Sequence, residues 1–305
     1  MAFLPLFGYS PDTAANERFI HSLPHETLAQ AGPDLVLDDK TVLLYEPLLA
    51  CMPSWRRGAQ GIGSCVGWGW SLAVDVLAAV EVVLKREPER FGGRTLEASV
   101  YAFSRVEARG RQRAGLSDGS YGGAAAKAVR DWGTLHYGID YGGERFDTYS
   151  AQREKSWGNT GVPDHLESFA RERRVGEVTL VETFDQAATA IQNGYPVPVC
   201  SMQGFTMQRD KDGFCHPRGQ WAHCMLFAGV RFDKPGLLCV NSWGASNSGP
   251  TWPDNMPKAV AECSFWVDAG TADRMLRGRD SYAISAYDGF PPQKIDRWFP
   301  EGLFA

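Results

Sequence analysis

The feature that most constrains the fold is a cysteine that a glycine-rich turn places at the start of a long apolar helix. The turn is Gln60-Gly61-Ile62-Gly63-Ser64, and the helix is expected to run from Cys65 to about Arg86, before Pro88. The unpaired N–H groups and the positive dipole end of a helix N-terminus favour a thiolate over a thiol. The side-chain amide of Gln60 could donate to an oxyanion near Cys65. Taken alone, the segment fits either a nucleophile or a buried, unreactive cysteine.

Composition limits the partners of the protein. The chain has 305 residues, of which 44% are hydrophobic and 22% charged, as in an ordinary globular protein. A net charge of −5 gives no basic excess for nucleic acid. The longest apolar run, Leu72–Leu84, contains Asp75 and Glu81 and is too short for a bilayer, so no membrane contact is expected. Residues 1–8 show no signal peptide, and the 7 irregularly spaced cysteines predict free thiols in a cytoplasmic protein.

Secondary-structure signals predict a helix-rich first half and a strand-rich second half. Helices are expected over 16–23, 65–86, 124–132, 164–174, 183–194 and 271–276, and a helical or mixed segment over 95–106. Strands are expected over 41–45, 178–181, 197–200, 225–230, 237–241, 264–268 and 281–287. Residues 137–159, rich in glycine and tyrosine, are expected to form a loop. This order is typical of an α+β fold. Residues 1–50, interrupted by prolines, are expected to form an N-terminal extension or strap on the surface, with a propeptide or lid as alternatives.

A histidine and an asparagine lie at the ends of two predicted neighbouring strands. His223 precedes an apolar strand, and Asn241 ends the next one, in the segment Asn241-Ser242-Trp243-Gly244. Antiparallel strands can set these residues side by side, so that Asn241 accepts from one imidazole nitrogen and leaves the other to face a thiol. Trp243 would cover this bond from water. His216, in a loop with proline and glycine, is a second candidate base.

Taken in chain order, these segments resemble those of the papain-like cysteine peptidases, over about residues 45–290. The blocks that carry the resemblance are Gln60-Gly61 with Gly63-Ser64-Cys65, Pro196–Val199 with Ala222-His223, and Asn241–Gly244. Gly122-Gly123 is similar to the glycine pair that lines the substrate cleft of the family. The late helix at 271–276 resembles the bacterial and phage branch.

The resemblance implies a two-lobed fold with defined boundaries. A catalytic domain would cover 51–305, with a helical lobe at about 55–175 and an antiparallel, β-barrel-like lobe at about 176–290. The long helix that starts at the nucleophile would be central. Two departures from the family stand out. Gln60 lies one residue closer to Cys65 than is usual, and Ile62 replaces a common cysteine, so the usual nearby disulfide cannot form.

The resemblance also implies a reaction, the hydrolysis of peptide bonds by a cysteine endopeptidase. A thiolate at Cys65, paired with protonated His223, would attack a peptide carbonyl, and His223 would protonate the leaving amine. Neither a metal nor another cofactor is needed. The residues assigned are Cys65, His223, Asn241 and Gln60 for catalysis, and Gly122, Gly123 and Trp243 for contact with the substrate.

Other interpretations stay open. Cys215-His216 with His223-Cys224 and Cys200 form a candidate metal site that lacks the usual spacing of zinc ligands. A papain-like scaffold could act as a binding or structural protein, for example in a phage virion, where the N-terminal extension would contact other virion proteins. The same thiol chemistry could also transfer an acyl group to an amine instead of water.

Overall fold

The computed structural model describes residues 5–85, 91–110, 117–286 and 289–292. The helices are α1 Thr13–Ile20, α2 Leu28–Ala31, α3 Tyr45–Cys51, α4 Cys65–Lys85, α5 Glu97–Arg105, α6 Gly122–Asp131, α7 Ala151–Thr160, α8 Asp164–Arg171, α9 Phe184–Gln192, α10 Lys258–Ala261 and α11 Ala269–Leu276, with a 3₁₀ turn at Glu107–Arg109. The strands are β1 Val42–Leu43, β2 Glu177–Leu180, β3 Val197–Phe205, β4 Pro217–Arg231, β5 Gly236–Val240, β6 Ser264–Asp268 and β7 Tyr282–Ser285.

Helix α4 is the central core helix, and it begins at Cys65 as predicted. Its buried side chains, among them Trp68, Trp70 and Val80, lie on all sides, as expected for a helix surrounded by protein. It contacts α3, α5 and β4. By length and composition alone Cys65–Val83 would pass for a membrane span, and burial within the core accounts for this apolar sequence. The predicted helix end near Arg86 lies outside the described residues.

Strand β4 organises the main sheet because three other strands pair with it. β1, β3 and β5 are all antiparallel to β4, and β6 extends the sheet by pairing with β5. β2 and β7 form a separate antiparallel pair. The predicted α+β class is confirmed. The sheets are not closed into a barrel, so the lobe expected to be barrel-like is an open antiparallel sheet.

Parts of the first 50 residues are anchored in the core, while much of the described chain between these anchors is exposed or half-buried. Ile20, Leu28, Leu44 and Leu48 are almost fully buried in the larger of two apolar clusters. β1 adds a short strand to the main sheet. The hydrophobic effect therefore ties the segment to the domain at these positions, and its assignment as an extension or strap stays a prediction.

Helix α7 occupies the end of residues 137–159, which the sequence predicts to be a loop, and extends one residue beyond them to Thr160. Ser150 caps the helix by accepting from the backbone N–H of Arg153, and Trp157 packs in a second apolar cluster with residues of α5 and α8. Strands β3 and β4 extend further than predicted, and the predicted strand end at Tyr287 lies outside the described residues.

Candidate active site

Cys65 lies in the first turn of α4 and is inaccessible to solvent. Its Sγ accepts a hydrogen bond from the backbone N–H of Cys224 at 3.3 Å. Burial raises the pKa of this thiol, although the backbone N–H groups of Cys224, Gly8 and Val66 act in the opposite direction. The helix start is therefore not sufficient to make Cys65 a thiolate while it is shielded from water.

His223 on β4 and Asn241, directly after β5, form a buried hydrogen-bonded pair. The distance from His223 Nε2 to Asn241 Oδ1 is 2.8 Å. The same oxygen accepts from the backbone N–H of Ser242 at 2.7 Å, which fixes the orientation of the amide. Because Oδ1 can only accept, Nε2 carries the proton and Nδ1 is left as the basic nitrogen. Within the described part of the chain, Nδ1 has no hydrogen-bond partner.

The environment of His223 disfavours its charged form. Burial lowers the pKa of His223 to about 4, although the bond to Asn241 acts in the opposite direction. The indole of Trp243 stacks on the imidazole with 4.3 Å between ring centroids. Desolvation therefore favours a neutral thiol and a neutral imidazole in this conformation, whereas the sequence predicts a thiolate–imidazolium pair at rest. The physical reason is the exclusion of water from both groups.

Gln60 is fixed so that its amide nitrogen points at backbone carbonyls. Its Oε1 accepts from Ser242 Oγ at 2.6 Å. Its Nε2 donates to the carbonyl oxygens of Leu6 at 3.1 Å and Ile62 at 2.9 Å. The group predicted to hold an oxyanion thus holds a peptide carbonyl from the N-terminus of the same chain.

Residues 5–10, referred to below as the N-terminal segment, cover this group of side chains. The carbonyl oxygen of Leu6 also accepts from Trp243 Nε1 at 2.9 Å. The ring of Phe7 meets the rings of Trp243 and His223 edge-on, with centroid distances of 5.7 and 6.4 Å. The start of the segment therefore lies over the histidine and the predicted oxyanion donor.

The second part of the N-terminal segment forms backbone hydrogen bonds with two other segments, at Ala222 on β4 and at Ser120 before α6. The N–H groups of Gly8 and Tyr9 lie 3.2 and 3.0 Å from the carbonyl oxygen of Ala222, and Ser120 N–H donates to the Gly8 carbonyl at 2.9 Å. A Cβ on Gly8 would lie 2.0 Å from the carbonyl oxygen of Gly63. Only glycine can therefore pass the Gly63-Ser64 turn this closely.

Gly122 and Gly123 begin α6, and their N–H groups donate to the two carboxylate oxygens of Asp280 at 2.8 and 2.7 Å. These donors are thus occupied by the protein itself. The backbone of Ser120 pairs with the N-terminal segment instead, through the bond to Gly8 and a bond from Ser10 N–H at 2.8 Å. The cleft-lining role of Gly122 and Gly123 stays a prediction, and Ser120 is the residue of this region that pairs with the N-terminal segment.

Asp280 is a site residue that the sequence analysis missed. The side chain of Tyr9 is buried, and burial together with the nearby Asp280 carboxyl raises the pKa of its phenol. Burial raises the pKa of Asp280 to about 7, although the N–H groups of Gly122 and Gly123 favour the charged form. The N–H groups at a helix start need a hydrogen-bond acceptor, and an acidic residue can supply it. The Gly122-Gly123 helix start was therefore the signal that could have pointed to a residue such as Asp280.

The raised pKa of Asp280 predicts a pH-dependent stability. The ordinary value is 3.8 and the folded value about 7, so the contribution is fully present below pH 3.8 and is lost as pH rises through about 7. Asp280→Asn removes this titration. We expect the free energy of unfolding of the wild type, relative to that of the variant, to fall by up to about 4 kcal/mol over this pH range. Urea unfolding at a series of pH values measures it.

The control for this experiment is Asp254→Asn, at an exposed acidic position. The difference between this variant and the wild type should stay constant with pH. If the free energy of unfolding of Asp280→Asn also differed from that of the wild type by a constant amount, a buried Asp280 carboxyl with a pKa raised to about 7 would be contradicted.

Arg57 is a second residue that the sequence analysis missed. Its Nε donates to the Asn241 carbonyl at 3.0 Å and its Nη2 to the Trp68 carbonyl at 2.9 Å. The guanidinium also lies over the ring of Trp68, 5.0 Å from the centroid. Arg57 therefore connects α4 to the turn that carries Asn241.

The alternative site residues do not gather in the same way. His216 is exposed, and its Nε2 lies 3.2 Å from Asp210 Oδ2. Among the residues that the structure describes, no group of three or more His, Cys, Asp or Glu side chains converges as metal ligands would. Of the candidates, Cys65, His223, Asn241, Gln60 and Trp243 lie together at one place.

The sequence matches no protein-family model and no curated protein. Solved structures do resemble the fold. Xylellain, a cysteine protease from Xylella fastidiosa, aligns with a TM-score of 0.53 at 16% identity over 93% of each chain. Procathepsin B S9 from Trypanosoma congolense aligns with a TM-score of 0.53 at 15% identity, over 91% of this chain and 85% of its own. The chain therefore has the papain-like cysteine protease fold that the sequence resemblance predicts.

Proposed function

We propose that the protein is a cysteine endopeptidase that hydrolyses peptide bonds through a thioester intermediate. The observation that carries the proposal is the grouping of Cys65, the His223–Asn241 pair and Gln60 around the backbone of the N-terminal segment. In this segment the carbonyl of Leu6 accepts from the Gln60 amide. A substrate peptide that replaces it would present its scissile carbonyl to the same donor.

The reaction begins when the N-terminal segment leaves the groove that it fills and water enters. The desolvation that keeps the Cys65 thiol and the His223 imidazole neutral is then relieved. His223 Nδ1 takes the thiol proton of Cys65, and the thiolate attacks the peptide carbonyl. The oxyanion accepts from Gln60 Nε2 and from the backbone N–H of Cys65. His223 then protonates the leaving amine. It next activates a water that hydrolyses the thioester and restores the Cys65 thiol.

Substrate binding would use the contacts that the N-terminal segment makes. The Ala222 carbonyl and the Ser120 backbone supply main-chain partners, as in the addition of a strand to an exposed backbone edge. Trp243 and Phe7 border a further cavity of about 770 Å³, lined also by Trp221. This cavity would receive the apolar side chains of residues on the far side of the scissile bond.

The occupied groove favours a second candidate function. A papain-like protein whose groove is filled by its own residues 5–10 could serve as a binding or structural component, in a virion or in the cytoplasm. In that role its partners would contact the outer surface rather than the groove. A third outcome, acyl transfer to an amine, uses the same intermediate as hydrolysis.

Product analysis distinguishes these functions. The full chain is incubated with a peptide library, with and without an added primary amine, and the products are identified by mass spectrometry. A peptidase gives new carboxyl termini that disappear in Cys65→Ser and persist in Cys51→Ser, a half-buried cysteine outside the site. Amide adducts would indicate a transferase. Absence of any product, even when the N-terminal segment is displaced by mutation, would contradict the peptidase proposal.

A further inference from the structure

We propose that Cys200 and Cys224 form a dithiol site that a small-molecule disulfide converts into a cross-strand disulfide, and that the Tyr9 side chain covers this site. Both cysteines are free thiols and fully buried. Neither has a part in the proposed peptidase reaction. The proposal therefore stands or fails independently of the function of Cys65.

The register of the main sheet places the two cysteines face to face. Cys200 on β3 is directly opposite Cys224 on β4, in a run without register shifts. The Cys200 N–H donates to Ser281 Oγ at 3.3 Å, and the Cys224 N–H donates to Cys65 Sγ at 3.3 Å. Since neither N–H points to the opposite strand, this is a non-hydrogen-bonded pair, whose Cα atoms are about 4.5 Å apart. That separation lies within the range that a disulfide spans.

The two side chains also point the same way. Directly opposed residues of antiparallel strands project from one face of the sheet, so the Cys200 and Cys224 side chains are neighbours on that face. That face packs on α4, where a Cβ on Gly69 would lie 2.9 Å from Cys224 Sγ. Gly69 lies one helical turn after Cys65. The thiol pair is therefore a neighbour of the nucleophile, while Cys65 Sγ bonds to the main chain of Cys224.

Tyr9, in the N-terminal segment, lies close to this pair. Its N–H donates to the carbonyl of Ala222, two residues before Cys224, and its buried phenol is near Asp280, the neighbour of the Ser281 that accepts from the Cys200 N–H. When the N-terminal segment leaves, the pocket that holds the Tyr9 ring empties. A small reagent can then reach the two thiols.

The reaction is two successive thiol–disulfide exchanges. The thiolate of one cysteine attacks one sulfur of a reagent RS–SR, and the released thiolate takes up the proton as RSH. The second cysteine then attacks the mixed disulfide, forms the Cys200–Cys224 bond and releases a second RSH. The protein loses two protons and two electrons, and the reagent gains both.

The test treats the full-length, folded protein with bis(2-hydroxyethyl) disulfide and follows intact mass and cross-linked peptides. We expect the loss of two hydrogen atoms, a peptide joined through Cys200 and Cys224, and a Cys65 that can still be alkylated. Tyr9→Ala should form the bridge about tenfold faster, because the open form is more populated. Tyr9→Phe, which keeps the ring and loses only the hydroxyl, should form it at a rate closer to that of the wild type.

Further variants keep the result interpretable. Cys224→Ala should abolish the bridge, and Cys65→Ala should leave it intact whether or not the protein is a peptidase. Cys239, buried elsewhere in the sheet, must stay unlabelled in each folded protein. If Tyr9→Ala exposes Cys239, Gly8→Ala replaces it as the variant that displaces the segment. A bridge that involves Cys65, a persistent mixed disulfide without a bridge, or equal rates with and without the Tyr9 ring would overturn the proposal.

Discussion

Replacing Gly8 with alanine is expected to increase the rate of peptide hydrolysis by about a hundredfold. In the closed structure the new Cβ would lie 2.0 Å from the Gly63 carbonyl oxygen and 2.9 Å from the Ser64 nitrogen. Both atoms are backbone of the turn that precedes Cys65, so they cannot move aside cheaply. The N-terminal segment must therefore leave the groove.

The size of this effect follows from the bonds that the segment loses. The segment is held by backbone bonds to Ala222 and Ser120 and by the bonds of the Leu6 carbonyl to Gln60 and Trp243. Each is worth about 0.5–1.5 kcal/mol, so losing a few of them shifts the open population by about two orders of magnitude. Initial rates on a peptide substrate identified in the product analysis measure the change.

The matched control is Gly270→Ala in α11, where the nearest atom to an added Cβ would be Asp268 Oδ1 at 3.5 Å. This methyl group has room, so the rate should not change. An unchanged rate in a folded Gly8→Ala protein would show that the N-terminal segment does not control the site.

Replacing His223 with alanine is expected to lower kcat/KM for peptide hydrolysis by about a thousandfold, because a positioned acid–base group contributes roughly 10²- to 10⁴-fold. The imidazole is the basic group that Asn241 orients, and the next residue along β4 bonds to the Cys65 sulfur. Without it the thiol has no internal base. The comparison is best made in the Gly8→Ala background, where the open form is well populated.

His216→Ala supplies the control for this prediction. His216 is the same residue type on the same lobe, but it is exposed and paired with Asp210. Its removal should leave kcat/KM within about twofold of the parent, as is usual for surface substitutions. If both variants lost activity equally, or if His223→Ala kept most of it, the assignment of the base would be wrong.

The sequence predicts best the elements whose signals are local. Helix α4 begins at Cys65 after a glycine-rich turn, and α9 begins after Thr183, whose Oγ1 accepts from Gln186 N–H at 3.2 Å. Strand β6 has the bounds that its apolar run predicts. In each case a cap, a turn or a periodic apolar face is contained in the element itself.

Sequence-based expectation and structure differ where contacts between distant segments determine the local structure. α7 has little apolar periodicity, yet burial of Trp157 and the buried Glu154, whose Oε2 accepts from Tyr149 at 2.7 Å, hold it against the domain. The first 50 residues look like a strap because prolines interrupt them. Their isolated leucines and isoleucine are nevertheless buried by partners far away in sequence. Propensity alone cannot show such partners.

The candidate site also contains both residues that local motifs predict and residues that only tertiary contacts place. Cys65, His223, Asn241 and Gln60 carry motifs, and the structure brings them together, although their catalytic roles stay predictions. The residues around them, Asp280 and Arg57, act through contacts with the backbone of distant segments and carry no motif. The glycine pair at 122–123 was assigned from a local pattern, but an acceptor remote in sequence takes its donors.

The most direct test of the central claim is site-resolved alkylation by a peptidyl epoxide, applied to the wild type, to Gly8→Ala and to Gly8→Ala with His223→Ala. Mass spectrometry reports the label at each of the 7 cysteines. We expect slow labelling in the wild type, fast labelling confined to Cys65 in Gly8→Ala, and loss of that reactivity when His223 is also replaced. Labelling of Cys65 in Gly8→Ala no faster than at the other cysteines would contradict the claim that this groove holds an activated nucleophile.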